Sequence, residues 1–205
     1  MARKAVAATF KTVVVANHTH ALFRESGITL LRSFPPIASR AARVLVLGSM
    51  PGAMSLRLQQ YYAHPQNAFW KIMAELFGFD ATASYVARTL ALIRNKVALW
   101  DVLAACTREG SLDSDIDDRS IVANDFAAFF KAHPHVQRVC FNGAKAEAVY
   151  RKHVLPHLTT KHAIDYLRLP STSPAHAGMR LADKLDAWRV VPLPLASNPK
   201  ERSRA

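Results

Sequence analysis

The sequence predicts an α/β fold, a three-layer α/β/α sandwich around a mostly parallel four-stranded sheet. Short β-branched and leucine-rich runs alternate with stretches whose apolar residues recur at helical spacing, the pattern of a sheet covered by helices. The strongest of these runs, at 43–48, is β-branched and leucine-rich up to its closing glycine, as expected where both faces of a parallel sheet are buried. The chain has 205 residues, 50% of them hydrophobic, which suits one globular core of ordinary size.

The elements follow in order. Arg43-Val-Leu-Val-Leu-Gly48 is a buried strand closed by glycine. Residues 68–77 carry Phe69, Ile72, Met73, Leu76 and Phe77 on one helical face and stop at Gly78, a good helix C-terminus. A second helix is expected over 82–94 with Thr82 as its cap, and a strand over 97–102. Residues 124–132 read as a helix capped by Asn124 or Asp125. A strand over 136–141 ends at Asn142-Gly143 and runs into a helix over 144–152. A short strand over 166–169 precedes a closing helix over 179–190, with Leu181, Leu185 and Trp188 on one face. Residues 1–30 are left as an irregular extension, 31–191 as the domain, and 192–205 as an irregular basic tail.

Composition narrows the function. So high an apolar fraction argues against disorder, and no run approaches a membrane span. Cys106 and Cys140 cannot make a disulfide framework, and without a CxxC pair they hold no metal by themselves. A reducing, cytoplasmic compartment is expected, with a targeting role for residues 1–30 left open. Lys plus Arg is 27 against 15 Asp plus Glu, a net charge of +12. Six basic residues against one acidic fall in 1–40, and six against three in 180–205. A basic field favours a polyanion, nucleic acid before an anionic membrane, although basic tails also serve solubility. His18/His20 and His133/His135 lack a third ligand nearby, so no metal site is expected. The cluster Asp113, Asp115, Asp117 and Asp118 lacks the glycine and distal glutamate of a calcium loop and reads as a solvated turn.

In a parallel sheet, ligands bind beyond the carboxyl ends of the strands. That rule selects the loops after Gly48, Val102, Gly143 and Leu169. Gly48-Ser49-Met50-Pro51-Gly52 is a rigid turn with free N–H groups, suited to an anion or a flat polar ring, or simply an ordinary strand-to-loop turn. Tyr61-Tyr62-Ala63-His64-Pro65-Gln66-Asn67 precedes a helix. Its aromatics can stack on a base, and its Asn and His can orient water or steady a leaving group. Asn67 is equally suited to cap the helix, and Phe69 and Trp70 to the core. Leu169-Pro-Ser-Thr-Ser-Pro-Ala-His176 offers hydroxyls and N–H groups for a phosphate, or a solvated Ser/Pro loop.

Together these segments resemble the uracil-DNA glycosylase superfamily, and within it the hypoxanthine-DNA glycosylase (deoxyinosine glycosylase) branch. Gly48–Gly52, Tyr61–Asn67, Phe69-Trp70 and Leu169–Pro174 carry the likeness. So does the stretch from Trp100-Asp101-Val102 through Gly110-Ser-Leu-Asp-Ser114. The mismatch-specific uracil glycosylases offer a similar spacing and a Phe-Asn-Gly like Phe141-Asn142-Gly143. The likeness covers roughly 31–191 and implies a uracil-DNA glycosylase-like fold. It implies a monomeric, cofactor-free and metal-free hydrolase that removes hypoxanthine or uracil from DNA and so begins base excision repair.

Carried over by residue, Gly48, Ser49, Met50, Pro51, Gly52 and Asn142 would line the base pocket and Tyr62 would stack on the base. Ser171, Thr172, Ser173, Pro174, Ala175 and His176 would contact DNA. Many superfamily members place a water-activating Asn or Asp where Met50 stands, and a thioether cannot replace it. The role then falls to Asn67, with His64 helping the departing base. A non-catalytic nucleic-acid-binding module and a nucleoside hydrolase of the same fold are the competing readings.

Overall fold

The computed structural model describes residues 24–25, 28–110, 112–159 and 163–193. The readings made on residues 1–23, including His18/His20, and on the tail beyond 193 lie outside the described residues. The central sheet has four parallel strands in the order β4 (Val97–Asp101), β3 (Val44–Gly48), β7 (Arg138–Asn142) and β8 (Asp165–Leu169). These are the four strands expected. Leu45, Val46, Leu47, Ala98, Leu99, Val139, Cys140 and Phe141 are wholly shielded from solvent, the burial that a two-faced parallel sheet imposes.

Aromatic contacts show how the helices cover it. Phe69 of α2 (Phe69–Phe77) meets Trp188 of α6 (Leu181–Trp188) edge to face at 6.0 Å, and Trp70 meets Tyr85 of α3 (Tyr85–Arg94) at 5.9 Å. A separate group joins Phe126 and Phe129 of α4 (Phe126–Ala132) to Trp100 of β4, and Phe126 to Tyr150 of α5 (Ala144–His153).

Several details depart from the expectation. The chain also builds an antiparallel sheet, β1 (Arg24–Glu25), β2 (Ile28–Arg32), β5 (Leu103–Thr107) and β6 (Val122–Ala123). β2 begins at Ile28, inside the stretch read as an irregular extension. It leaves Leu30 exposed, so no buried apolar run announces it; its pairing with β5 holds it extended. β4 and β5 are separated by Val102 alone, where the chain passes from one sheet to the other. α3 starts three residues later than expected and is capped by Ser84, whose hydroxyl accepts from the Ala87 N–H. Thr82 instead closes a turn, donating its N–H and hydroxyl to Asp80. On α6 the buried face carries Lys184 and Trp188, while Leu181 is 47% exposed.

Candidate active site

Three loops meet at the carboxyl ends of β3, β4, β7 and β8 and enclose a cavity of about 320 Å³, at the small end of ligand sites. Gly48–Gly52 forms one wall. The Gly48 and Ser49 carbonyls accept from the Val102 and Leu103 N–H groups at 2.9 and 3.1 Å, so the crossing between the two sheets braces the turn.

The second wall is the segment 61–67. Trp70 Nε1 donates to the Tyr61 carbonyl, the Tyr61 N–H donates to Tyr85 Oη, and Tyr61 Oη donates to the Phe34 carbonyl. This framework holds Tyr62 in the left-handed region at φ 53°, with its ring stacked on Phe69 at 4.1 Å between centroids. His64 Nδ1 accepts from the Gln66 N–H, which leaves Nε2 as the donor. Asn67 lines the cavity together with Gly48, Tyr62 and His64. Its Oδ1 accepts from the Phe69 N–H at 3.0 Å, so the side chain also caps α2 and is fixed in orientation.

The third wall is the loop 171–176. Ser171, Ser173, Pro174, Ala175 and His176 line the cavity. Thr172 does not, which corrects its assignment to the DNA-contacting set. It is 1% exposed, with its N–H donating to Asn142 Oδ1, its Oγ1 accepting from Asn142 Nδ2, and its carbonyl accepting from the Ala68 N–H. Asn142 reaches the cavity wall, but Thr172 engages both ends of its amide. It acts there as a clamp joining β7 to the loop. The loop is held further by Trp188 Nε1 on the Pro170 carbonyl and Lys184 Nζ on the His176 carbonyl, at 2.9 and 2.8 Å.

Two carboxyls in the cavity were not foreseen. Asp101 ends β4 on the cavity floor. Its Oδ2 accepts from Ser33 Oγ at 3.1 Å, and burial pushes its pKa up to about 7 against the opposing pull of Ser33 and Arg108. Asp113 is the correction to the solvated-turn reading. It lines the cavity, accepts from Ser49 Oγ at 2.7 Å, and is raised by burial. Arg108 stands behind them, with Nη2 donating to the Pro51 carbonyl and Nε to the Gly110 carbonyl. A charged residue closing the apolar run Val97-Ala-Leu-Trp-Asp101 at a strand's carboxyl end was the signal available for Asp101. Among the described residues, neither lysine nor arginine lines the cavity, and no group of three or more His, Cys, Asp or Glu gathers as a metal site.

The raised carboxyl has a sign. Unfolded, Asp101 ionises near the ordinary aspartate value of 3.8, while burial in the fold keeps it protonated to about 7. Its contribution to stability is therefore full below pH 4 and is lost as pH rises toward 7. Asp101→Asn removes that loss. Urea unfolding is expected to show the variant gaining up to about 4 kcal/mol on the wild type at pH 8 relative to pH 4. Parallel curves for the two proteins would place the carboxyl in solvent.

Comparison with known proteins fits this architecture. A family model described as the Uracil DNA glycosylase superfamily matches residues 35–191. The chain belongs to the uracil DNA glycosylase superfamily. Two proteins named Hypoxanthine DNA glycosylase, from Methanosarcina barkeri and Methanosarcina acetivorans, are 41% and 40% identical to it over 116 residues. Each alignment spans 56% of this chain and 72% of the relative. The solution NMR structure of a candidate uracil DNA glycosylase from Methanosarcina acetivorans superposes with a TM-score of 0.62 at 32% identity, covering 79% of this chain and 98% of that one. Within the superfamily match, the Gly48–Gly52 turn, Asn67 and the 171–176 loop all fall inside the matched residues. No described helix is long and apolar enough to cross a membrane.

Proposed function

We propose that this superfamily member is a monofunctional DNA glycosylase. It hydrolyses the N-glycosidic bond of a deaminated base, hypoxanthine or uracil, turned out of DNA into the cavity. The observation that carries this reading is the cavity itself, where a glycine turn, an Asn/His segment and a serine loop converge on a space lined by two carboxyls and, among the described residues, by no lysine or arginine. A phosphate finds no lysine or arginine among those lining residues, whereas an uncharged ring fits. The net charge of +12 favours the DNA backbone. This argues for DNA over a free nucleotide.

Hydrolysis of this bond develops positive charge on the sugar and negative charge on the departing base. Water adds its oxygen to C1′, the bond electrons leave with the base, and the water proton is passed on so that base and abasic site are the products. Asn67 aims the water, with its Oδ1 held by the Phe69 N–H and its Nδ2 free to contact the solvent molecule. His64 Nε2 donates toward the base. Tyr62 stacks on it, and the backbone of Gly48–Gly52 borders it. Extrusion costs a few kcal/mol, less from a mispair, which favours deaminated sites. Among the described residues no lysine lines the cavity to form a Schiff base with the sugar, and release without strand cleavage is expected.

The test is excision from labelled duplexes carrying deoxyinosine or deoxyuridine, in chelator, at several salt concentrations. Release of either base with an intact, alkali-labile strand is the expected result, with affinity falling steeply as salt rises. Binding without release in a single turnover marks a non-catalytic module, and release only from free nucleosides marks a nucleoside hydrolase.

A further inference from the structure

We infer that a basic hollow at the amino ends of β3, β4 and β7 binds the phosphate backbone of a second DNA segment while the cavity engages the first. DNA as the polymer comes from the glycosylase reading above; the hollow itself takes no part in excision.

The hollow has a volume of about 460 Å³ and is lined by Arg43, Lys96 and His135 with Ala41, Pro134 and Gln137. These residues lie just ahead of β3, β4 and β7, whereas the cavity lies beyond the carboxyl ends of the same strands. β3 is five residues long, and at about 3.3 Å per residue it separates the two sites by roughly 16 Å. They open at opposite ends of the sheet, so a straight duplex seated over one does not reach the other.

The site is rigid. The Lys96 carbonyl accepts from the Arg43 N–H at 2.8 Å, and the Arg43 carbonyl accepts from the Gln137 N–H at 2.9 Å. Lys96 itself sits at φ 59°, a left-handed turn that leads directly into β4. With its amide oriented to satisfy both groups, Gln137 Oε1 accepts from Arg43 Nε and Nη2 at 2.7 and 2.6 Å. This neutral partner fixes the guanidinium without cancelling its charge, and it leaves Nη1 for a ligand oxygen.

Charge selects the ligand. No Asp or Glu occurs in 26–74, 81–100 or 126–146, the stretches that supply the hollow. The carboxylate at the same end of the sheet, Asp165, is already engaged by Arg138 at 2.9 Å. Among the described residues, Arg43, Lys96 and His135 have no acidic partner. Arg40, Arg94 and Lys131, each within four residues of a lining cation, are exposed and add to the field. Neither a glycine nor a helix N-terminus lines the hollow, so it lacks the cradle of N–H groups that holds a free phosphate. A polymer of phosphates fits better. A duplex presents one charge per about 1.7 Å of axis, so Arg43 and Lys96 would each meet a phosphate of one segment. A protein that grips two segments can pass from one to the other without first returning to solvent.

The experiment mixes the full chain at low salt with two short undamaged duplexes, one donor-labelled and one acceptor-labelled, and reads energy transfer between them. Wild type is compared with Arg43→Gln/Lys96→Asn and with a control of equal charge, Arg119→Gln/Arg189→Gln. Thermal melting checks folding, and sedimentation gives the mass of the complex. Wild type is expected to join the labels in a complex of one protein and two duplexes. Arg43→Gln/Lys96→Asn is expected to lose about tenfold or more in affinity for the second duplex and about two from its salt slope. Its single-turnover excision of deoxyinosine should stay within about twofold of wild type, because the cavity is untouched. The control should join the duplexes as wild type does.

Energy transfer that survives in Arg43→Gln/Lys96→Asn overturns the inference, as does an equal loss in the control or transfer only in complexes of two proteins. Wild type that joins no duplexes overturns it as well. Inorganic phosphate that abolishes transfer at constant ionic strength assigns the hollow to free phosphate and has the same effect. Wild type that joins duplexes but releases neither hypoxanthine nor uracil defeats the glycosylase reading and leaves the second DNA site standing.

Discussion

Asn67→Ala is expected to slow base release by on the order of 10² to 10³-fold, the loss typical of removing one preorganised polar contact from a reacting centre. DNA affinity should stay within a few-fold, because the loop 171–176 and the net charge are untouched. The structure adds a second consequence. Asn67 Oδ1 holds the Phe69 N–H, so the alanine variant also loses the cap of α2 and about 1 kcal/mol of stability. The two effects separate experimentally. Single-turnover excision reads the first and chemical unfolding the second, and Asn67→Asp restores the cap without restoring a neutral amide. An alanine variant that excises at the wild-type rate would leave Asn67 as a helix cap alone.

Gly48→Ala is expected to cost both activity and stability. A β-carbon at this position would meet Asp101 Oδ1 inside contact distance and approach Tyr62 Oη to 3.1 Å. Neither group can withdraw cheaply: Ser33 holds Asp101 from the other side, and the Tyr62 ring is pressed against Phe69. Overpacking of this kind typically costs about 1–3 kcal/mol. The displaced floor and stacking ring should lower excision by at least about a hundredfold. Gly178, where an added Cβ meets nothing within 4 Å, provides the comparison, and Gly178→Ala should change stability by no more than about 0.5 kcal/mol. Equal behaviour of the two variants would mean that Gly48 is not part of the cavity floor.

Much of this molecule was legible before folding was considered. The two inner-sheet runs at β3 and β4 announced themselves as apolar stretches that are buried at every position, as a parallel strand covered on both faces must be. The edge strand β8, by contrast, carries Asp165 and Arg168 exposed and was marked mainly by its place between turn residues. The loops 48–52 and 171–176 were legible because Gly, Pro and Ser concentrate where a strand ends, and 61–67 because Tyr, His and Asn gather just before a helix. Thr172 and Ser171 looked alike in sequence, yet one is buried in a clamp with Asn142 and the other borders the cavity. Two neighbouring hydroxyl residues in an irregular loop carry no periodicity that reveals which one points inward. Lys184 was hidden for a related reason. No reading singled it out beside Leu181, Leu185 and Trp188, and only the approach of the His176 carbonyl makes it a buried tether.

The sequence alone determined the α/β class, the order of the parallel strands' elements and the set of loops that could hold a base. These depend on local apolar spacing and turn chemistry, which are properties of short segments. The tertiary structure alone decided that Asp101 and Asp113 share one cavity, that Thr172 turns away from it, and that residues 28–32 form a strand. Each of those outcomes depends on a partner dozens of residues away, and on the burial that changes a carboxyl's charge once that partner arrives.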